Sequence, residues 1–364
     1  MKGLYIHIPF CSSKCKYCDF YSFSPKENDM DSYLEAVLSA LEKQKENISG
    51  TFDTIYFGGG TPSFFGGERI SQIIKKAKEC FSFCTDTEIT VECNPSSADE
   101  SLMKALSASG VNRISMGVQS AVTKERQLLG RKSNCAQVQN AISLAKKHGI
   151  YNISLDLMLG IPEQTMLSLD ESLDFIIESG VTHVSAYMLK IEEGTPLYTE
   201  QKSLVFPDED TVCDMYLHTV KRLESAGFMQ YEISNFAKEG FKSRHNTKYW
   251  LGNEYLGIGP SAHSFINKNR FFYERDINAF IKGCNPVFDS FGADEEEYIM
   301  LRLRLTDGLY FKDYFQKFKK EFSKSQIQKC MEFEKRGLIK MSEKGISLTP
   351  EGFLVSNYII SELI

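Results

Sequence analysis

The sequence has no surplus of positive charge and no long apolar segment. Its 364 residues carry 42 Lys and Arg against 48 Asp and Glu, a formal net charge of −6, which argues against nucleic-acid binding through a basic surface. No apolar run is long enough to span a bilayer, so we expect a protein that is not itself embedded in a membrane. Pro9 and the cysteines after it interrupt the short N-terminal apolar run, so the sequence predicts no signal peptide. Ten cysteines without an export signal predict a cytoplasmic protein.

Three of the cysteines, Cys11, Cys15 and Cys18, follow a predicted strand over residues 3–9 with the spacing Cys-x3-Cys-x2-Cys. Structural zinc needs four ligands, and no fourth Cys or His follows closely. A disulfide would leave one thiol over. A [4Fe–4S] cube held by three thiolates leaves one iron open to a ligand, so the spacing favours such a cluster over zinc or a disulfide.

Cys80 and Cys84 lie four residues apart on a predicted helix. They form either a second ligand pair or two small buried side chains, which is the more usual role of a free cysteine.

A strand–helix rhythm runs through the first half of the chain. The predicted strands are 4–8, 54–57, 88–91, 113–116, 153–158 and 183–188. The predicted helices are 31–45, 68–81, 101–109, 136–148 and 167–179. Such alternation predicts a parallel sheet with right-handed crossovers, and six units predict an α/β fold built on a partial (β/α)6 barrel.

Polar and glycine-rich segments follow four of these strands. They are Gly58-Gly-Gly-Thr-Pro-Ser63, Glu92-Cys-Asn-Pro95, Gly117-Val-Gln-Ser120, and Asp156 with Gly160-Ile-Pro162. Ligands of parallel sheets bind beyond the carboxyl ends of the strands, where glycines expose backbone N–H groups. Tight turns alone would explain one such loop, but four on one rim beside the cysteines predict a binding site.

The rest of the chain predicts two further parts. Residues 191–290 lose the rhythm, apart from a helix over 208–226. Residues 291–364 predict two helices, a hairpin around 344–345 and a last helix from 350, an order typical of a winged helix. DNA binding is one role for such a module, but this one has no clean basic face, which favours packing or a lid. We therefore expect a barrel over 1–190, an extension over 191–290 and a mainly helical, winged-helix-like domain over 291–364.

Five motifs carry a resemblance to a known family. They are Tyr5-Ile-His-Ile-Pro-Phe-Cys11, Phe57-Gly-Gly-Gly-Thr-Pro-Ser63, Val91-Glu-Cys-Asn-Pro95, Ser115-Met-Gly-Val-Gln-Ser120 and Asp156-Leu-Met-x-Gly-Ile-Pro162. Together they resemble the oxygen-independent coproporphyrinogen III oxidase family of radical S-adenosylmethionine (SAM) proteins, over nearly the whole chain. The resemblance implies that Cys11, Cys15 and Cys18 hold a [4Fe–4S] cluster whose open iron chelates the amino and carboxylate groups of SAM. It also implies a set of residues that contact SAM: Tyr5, Tyr17, Gly59, Gly60, Thr61, Glu92, Gln119, Arg131 and Asp156.

Two features resemble the haem chaperone subgroup of that family, the HemW proteins, rather than the oxidase itself. Phe20 stands where the oxidase has a further cysteine, and the chain contains His245-Asn-x-x-Tyr-Trp250. The resemblance implies that His245 holds haem; imidazole is a common axial ligand, and Tyr249 and Trp250 suit a porphyrin face. The alternative for His245 is a buried structural histidine. The nearby cations Arg244, Lys242 and Lys248 either pair with haem propionates or are simply solvated.

The resemblance implies three cofactors or ligands, namely the [4Fe–4S] cluster, SAM and haem. The expected partners are haem and haem-accepting proteins, with membrane-bound respiratory enzymes among the candidates and no nucleic acid. Two other functions stay open. One is oxidative decarboxylation of coproporphyrinogen III through a 5′-deoxyadenosyl radical, and the other is radical SAM chemistry on a different substrate. The sequence also leaves open whether SAM is cleaved, whether haem is bound covalently and whether the protein forms a homodimer.

Overall fold

The structure, a computed structural model, describes residues 1–26 and 29–364. Its centre is a set of six parallel strands that pair in chain order and alternate with helices. The strands are β1 (Lys2–Ile8), β2 (Thr51–Gly59), β3 (Ser82–Cys93), β4 (Arg113–Gln119), β5 (Asn152–Leu159) and β6 (His183–Met188). The helices between them are α1 (Asp29–Lys45), α2 (Pro62–Phe65), α3 (Gly67–Cys80), α4 (Glu100–Ala108), α5 (Thr123–Leu128), α6 (Cys135–Lys147) and α7 (Met166–Glu178). The predicted rhythm of six strand–helix units is confirmed.

The strands of this sheet are apolar on one face and polar on the other. Because side chains alternate along a strand, Leu4, Ile55 and Val91 all pack in the hydrophobic core, whereas their neighbours Tyr56 and Glu92 point the opposite way. Strands of parallel sheets are usually apolar on both faces. The polar face lines the inside of the curved sheet. The binding rim lies at the carboxyl ends of the parallel strands.

The next part of the chain extends this sheet at both edges. It contains α8 (Pro196–Glu200), α9 (Glu209–Ser225), β7 (Met229–Gln230), β8 (Asn235–Ala237), α10 (Arg244–Trp250), β9 (Tyr255–Ile258), β10 (His263–Ile266), β11 (Asn269–Phe272), α11 (Ile277–Ile281) and β12 (Val287–Phe291). β8 joins β6 antiparallel, whereas β9 joins β1 parallel and is followed by antiparallel β10, β11 and β12. The strand order is β12-β11-β10-β9-β1-β2-β3-β4-β5-β6-β8-β7, and the sheet is not closed. The predicted partial barrel is therefore confirmed.

The C-terminal part has its own small sheet. It consists of α12 (Glu295–Arg302), β13 (Leu309–Tyr310), α13 (Phe311–Phe318), α14 (Lys324–Lys335), β14 (Ile339–Ser342), β15 (Gly345–Leu348), α15 (Pro350–Leu354) and α16 (Ser356–Leu363). The strands pair in the order β13-β15-β14, and β14 and β15 form the predicted hairpin. Tyr314 packs edge-on against Phe322, with ring centroids 4.9 Å apart. The order of helices and hairpin matches the winged-helix-like prediction, while the three domain boundaries stay a prediction.

The prediction of one helix carrying both Cys80 and Cys84 is wrong. α3 ends at Cys80, and Cys84 lies on β3 with its Sγ 3.2 Å from Sδ of Met1. The apolar periodicity of the helix stops where the strand begins at Ser82. Separately, across residues 1–26 and 29–364 no helix combines the length and the apolar character needed to cross a membrane.

Candidate functional site

The loop after β1 carries the three predicted cluster ligands and is held by backbone hydrogen bonds. The Cys11 N–H donates to the Phe23 carbonyl over 3.0 Å, and the Phe23 N–H donates to the Pro9 carbonyl over 2.9 Å. The Lys16 N–H donates to the Leu129 carbonyl over 3.0 Å, which ties the loop to the segment after α5. The loop is therefore fixed at the carboxyl end of β1, as a site at that rim requires.

The three thiols are neighbours but do not converge on one point. Cys11 Sγ lies 3.3 Å from Thr61 Oγ1, and Arg131 Nη1 donates to Cys15 Sγ over 3.7 Å. Burial raises the pKa of Cys18, and the nearby Cys15 and Cys11 raise that pKa further. In the part of the chain that the structure describes, no three His, Cys, Asp or Glu side chains are placed to hold a single metal ion. A four-iron cube binds each thiolate at a different iron, so thiols that do not converge on one point fit a cluster of this kind.

The loop after β2 packs directly on the cysteine loop, and its glycines make this approach possible. Gly59 has φ +107°, and a Cβ there would lie 2.5 Å from a ring atom of His7. A Cβ at Gly60 would lie 2.7 Å from the Phe10 carbonyl oxygen. Only glycine tolerates such contacts. The Thr61 N–H, one residue later, donates to the same Phe10 carbonyl over 2.8 Å.

Two half-buried carboxyl groups lie across the pocket from the cysteines. Glu92 accepts hydrogen bonds from the Tyr56 hydroxyl over 2.7 Å and from the Gly59 N–H over 3.3 Å. Burial raises the pKa of Glu92 to about 7, with a further increase from Asp156. Burial also raises the pKa of Asp156 to about 6, although Arg113 partly opposes both shifts. A cationic ligand would offset the cost of burying these two charges.

Arg131 and Gln119 complete the polar wall. Arg131 donates from Nη2 to the Gly117 carbonyl, but its buried Nε has no hydrogen-bond partner among the described residues. Gln119 has φ +67°, a conformation that is uncommon outside glycine and is concentrated at functional sites. The Tyr187 hydroxyl holds the Gln119 side chain by donating to Oε1 over 3.0 Å. The unpartnered N–H of a guanidinium is suited to a carboxylate.

The structure brings the predicted site residues together in one pocket, except for Tyr5 and His245. Those that line it are Cys11, Cys15, Cys18, Tyr17, Gly59, Gly60, Thr61, Glu92, Gln119, Arg131 and Asp156. Tyr5 lies behind this pocket, with its ring stacked on Tyr56 at 6.2 Å. The pocket also contains residues that sequence reasoning did not assign to SAM: Phe20, Asn94, Ser115, Gly117 and Tyr187. Tyr187 is near the end of β6, so the rule that ligands bind at strand ends could have found it.

His245 lies inside the curved sheet, away from the rim. Its side chain is buried, with Nδ1 2.8 Å from Thr54 Oγ1 and Nε2 2.9 Å from the Tyr249 hydroxyl. The ring stacks on Tyr56 at 5.1 Å, and Tyr56 separates it from Glu92. Burial lowers the pKa of His245 to about 3. The predicted haem contact of His245 stays a prediction, and it requires one of these two hydrogen bonds to break.

The cations around His245 already have partners. Lys248 Nζ lies 2.5 Å from Asp53 Oδ1, and both side chains are buried. Arg244 pairs with Asp86 at 3.0 Å and more loosely with Asp53. These two cations therefore brace α10 against strands β2 and β3, which leaves neither free to pair with a haem propionate in this arrangement.

Comparison with known proteins places this site in a family. The family model of the Radical SAM superfamily matches residues 5–176, and that of the HemN C-terminal domain matches residues 295–355. The chain is 33% identical to the heme chaperone HemW of Bacillus subtilis, over 99% of this chain and 98% of that protein. The chain belongs to the HemW family. The heme chaperone HemW of Mycobacterium tuberculosis is 35% identical, over 84% of this chain and 82% of its own length.

A solved structure agrees with the fold of this HemW family member. Coproporphyrinogen III oxidase (HemN) from Escherichia coli superposes with a TM-score of 0.85, covering 99% of this chain and 89% of that one at 22% identity. At that identity the likeness establishes the fold alone. Membership of the radical SAM family implies a [4Fe–4S] cluster and SAM, and the three neighbouring thiols, two carboxyl groups and unpartnered guanidinium N–H fit those groups.

Proposed function

We propose that this protein is a haem chaperone, which binds haem and transfers it to acceptor proteins from a radical SAM core. The observation that carries the proposal is similarity to curated HemW proteins along essentially the whole chain. The residue at the position of the oxidase's further cysteine also supports the proposal. In this chain that residue is Phe20, which is 67% exposed and lines the pocket.

In this proposal Cys11, Cys15 and Cys18 hold the cluster, which when bound supplies an open iron for the amino and carboxylate groups of SAM. Arg131 would pair with the carboxylate through its unpartnered N–H. Glu92 and Asp156 would accept hydrogen bonds from the ammonium or ribose hydroxyl groups. The glycines at 59 and 60 let the backbone approach SAM closely, and Tyr17, Thr61 and Gln119 line the same wall.

Several finer points belong to the proposal. The proposal divides the chain into a barrel over 1–190, an extension of that barrel over 191–290 and a C-terminal domain over 291–364. The acceptors we favour are haem proteins, membrane-bound respiratory enzymes among them. The cytoplasm is the expected compartment, and whether the protein forms a homodimer stays open.

The function is tested by following haem itself. Purified protein with its cluster intact is loaded with haem, separated from free haem and mixed with apomyoglobin. We expect the haem to co-elute with the protein first and then to appear as holomyoglobin. Failure to retain haem through the separation would contradict a chaperone role. Conversion of coproporphyrinogen III to protoporphyrinogen IX, with SAM and reductant supplied, would instead identify an oxidase.

The SAM site is tested at Glu92. Glu92→Gln keeps the size of the side chain but removes its negative charge, and we expect SAM to bind about ten-fold more weakly or worse, since hydrogen bonds to charged groups contribute about 1.5–3 kcal/mol. The pKa of Glu92 in the free protein is about 7, and cationic SAM favours the ionised form. The affinity of wild type should therefore fall as the pH drops below about 7. Isothermal titration across pH 5.5–8.5 measures both effects.

A matched control is available at Glu232. Burial also raises its pKa to about 7, and its Oε1 accepts from the Ser234 N–H over 2.9 Å, but it lies outside the pocket. Glu232→Gln should leave SAM affinity unchanged. If a folded Glu92→Gln protein bound SAM as tightly as wild type at every pH, the placement of SAM against Glu92 would be wrong.

A further inference from the structure

The chain has six histidines, and five of them are buried or half-buried. Four of these five have ring nitrogens within hydrogen-bond distance of a partner: Tyr5 and Tyr21 for His7, Ser154 and Tyr231 for His183, Asp170 for His218, and Thr54 and Tyr249 for His245. The fifth, His148, has its Nε2 buried 3.6 Å from the Glu100 carboxylate without a hydrogen bond. His263 differs from all of these. It is exposed, and neither of its ring nitrogens has a hydrogen-bond partner within residues 1–26 and 29–364.

His263 is the first residue of β10, on the open side of the curved sheet. β10 approaches β9 so closely that a Cβ at Gly257 would lie 2.2 Å from the His263 carbonyl oxygen. The connection before it begins at Gly259, where a Cβ would lie 2.8 Å from the His7 carbonyl oxygen near the end of β1. His263 therefore starts its strand at the rim where the cysteine loop begins.

The surroundings of His263 are aromatic on one side. Its ring stacks on Phe272, its cross-strand partner, with centroids 5.2 Å apart and planes 24° apart. The stack fixes the orientation of the imidazole while leaving its nitrogens free. A ring stacked on an axial imidazole stands nearly perpendicular to the porphyrin, so Phe272 would meet the porphyrin face with its edge, a favourable aromatic geometry.

A cation and a second aromatic ring lie where the segment after β11 contacts the cysteine loop. Arg275, three residues after Phe272, donates from Nη2 to the Asp19 carbonyl over 2.8 Å, and its side chain is 55% exposed. The next residue in that loop is Phe20, which is 67% exposed. The Asp19 carboxylate lies 3.9 Å from the Arg275 guanidinium, and both side chains are more than half exposed. So loose and exposed a pair is weak, which leaves the guanidinium available to a propionate carboxylate.

We propose that His263 is the axial ligand of the haem iron, with Phe272 against the porphyrin and Arg275 beside a propionate. The inference rests on the proposed haem chaperone function and names the residue that holds the cargo. Haem iron requires an imidazole with a free nitrogen, and His263 is the one histidine of the described residues that is exposed and has both ring nitrogens free of hydrogen bonds. Haem then docks next to the SAM pocket, on the open side of the sheet.

The test compares four forms of the full-length protein with the cluster intact: wild type, His263→Ala, His263→Met and His218→Ala. Each is titrated with ferric haem and its absorption spectrum is recorded. His263→Ala should weaken haem binding about ten-fold or more and shift the Soret band. His263→Met should give a different spectrum from both, because thioether sulfur replaces nitrogen as the ligand. His218→Ala, at a half-exposed histidine on α9, should match wild type.

The outcomes separate the two proposals. If wild type does not bind haem, the chaperone function fails and the ligand assignment with it. If wild type binds haem and both His263 variants keep its spectrum and affinity, the His263 assignment alone is overturned. Because the His263 side chain is exposed, thermal unfolding of these variants should stay at the wild-type temperature, and any loss of haem binding then reports on the ligand.

Discussion

Alanine at Cys11, Cys15 or Cys18 is expected to abolish the visible absorption of the iron–sulfur cluster in protein reconstituted anaerobically. Each thiolate would hold one iron of the cube. The fourth cysteine of the pocket, Cys93, lies outside the cysteine loop at the end of β3, where its thiol is directed at the Val91 carbonyl over 3.8 Å. Loss of one ligand should leave less than about a tenth of the wild-type iron and sulfide, because a cube held by only two thiolates has two open irons and is readily lost. Iron analysis and absorption near 400 nm measure the loss.

A control for this result is Cys213→Ala. Cys213 lies on α9 and, like Cys15 and Cys18, is half-buried, but it is absent from the pocket. This variant should reconstitute as fully as wild type. A full cluster in each of the three single variants of the cysteine loop would show that these thiols are not its ligands.

His245→Ala is expected to lower the free energy of unfolding by about 3–5 kcal/mol. The change opens a cavity beside Tyr56 and leaves the hydroxyl groups of Thr54 and Tyr249 without partners. Urea unfolding followed by circular dichroism measures the loss. His245→Gln should recover part of it, because an amide can restore one of the two hydrogen bonds.

The haem spectrum of the His245→Ala protein distinguishes a structural role from a ligand role. Under the His263 assignment, the folded fraction of His245→Ala should keep the wild-type Soret band. His218→Ala serves as the control for stability, since His218 is only half-buried and bonds to Asp170 at the surface. A His245→Ala protein as stable as wild type but with a changed haem spectrum would establish His245 as the ligand and contradict the structural role.

The lowered pKa of His245 also makes the free energy of unfolding depend on pH. Its pKa is about 3 in the folded protein and near 6.5 in the unfolded chain. The unfolded state therefore binds more protons below pH 6.5, so stability is full above that pH and falls as the pH is lowered. The neutral imidazole, with a hydrogen bond at each ring nitrogen, helps to hold α10 to β2 at physiological pH.

The amino-acid sequence by itself determined the cluster loop, the strand–helix order and the polar residues at the strand ends. Each of these is local. Cys-x3-Cys-x2-Cys is a spacing within one loop, and Gly59 and Gly60 follow directly on a strand whose end points to the rim. The parallel arrangement then brings such ends together, so a polar pocket at this rim could be predicted without coordinates. The assignment of its residues to SAM came from the family resemblance and stays a prediction.

Only the tertiary structure decided which polar residues are hidden. Tyr56, Glu92 and His245 are all polar or aromatic in sequence, and nothing local distinguishes an inward position on a curved sheet from an exposed one. His245 is buried because α10 packs across the inside of strands far away in sequence, whereas His263 is exposed because β10 lies beyond β1 on the open side. The two histidines therefore differ in accessibility, although neither difference is visible in their local sequence. Burial depends on how distant strands curve around one another, which no short window of sequence records.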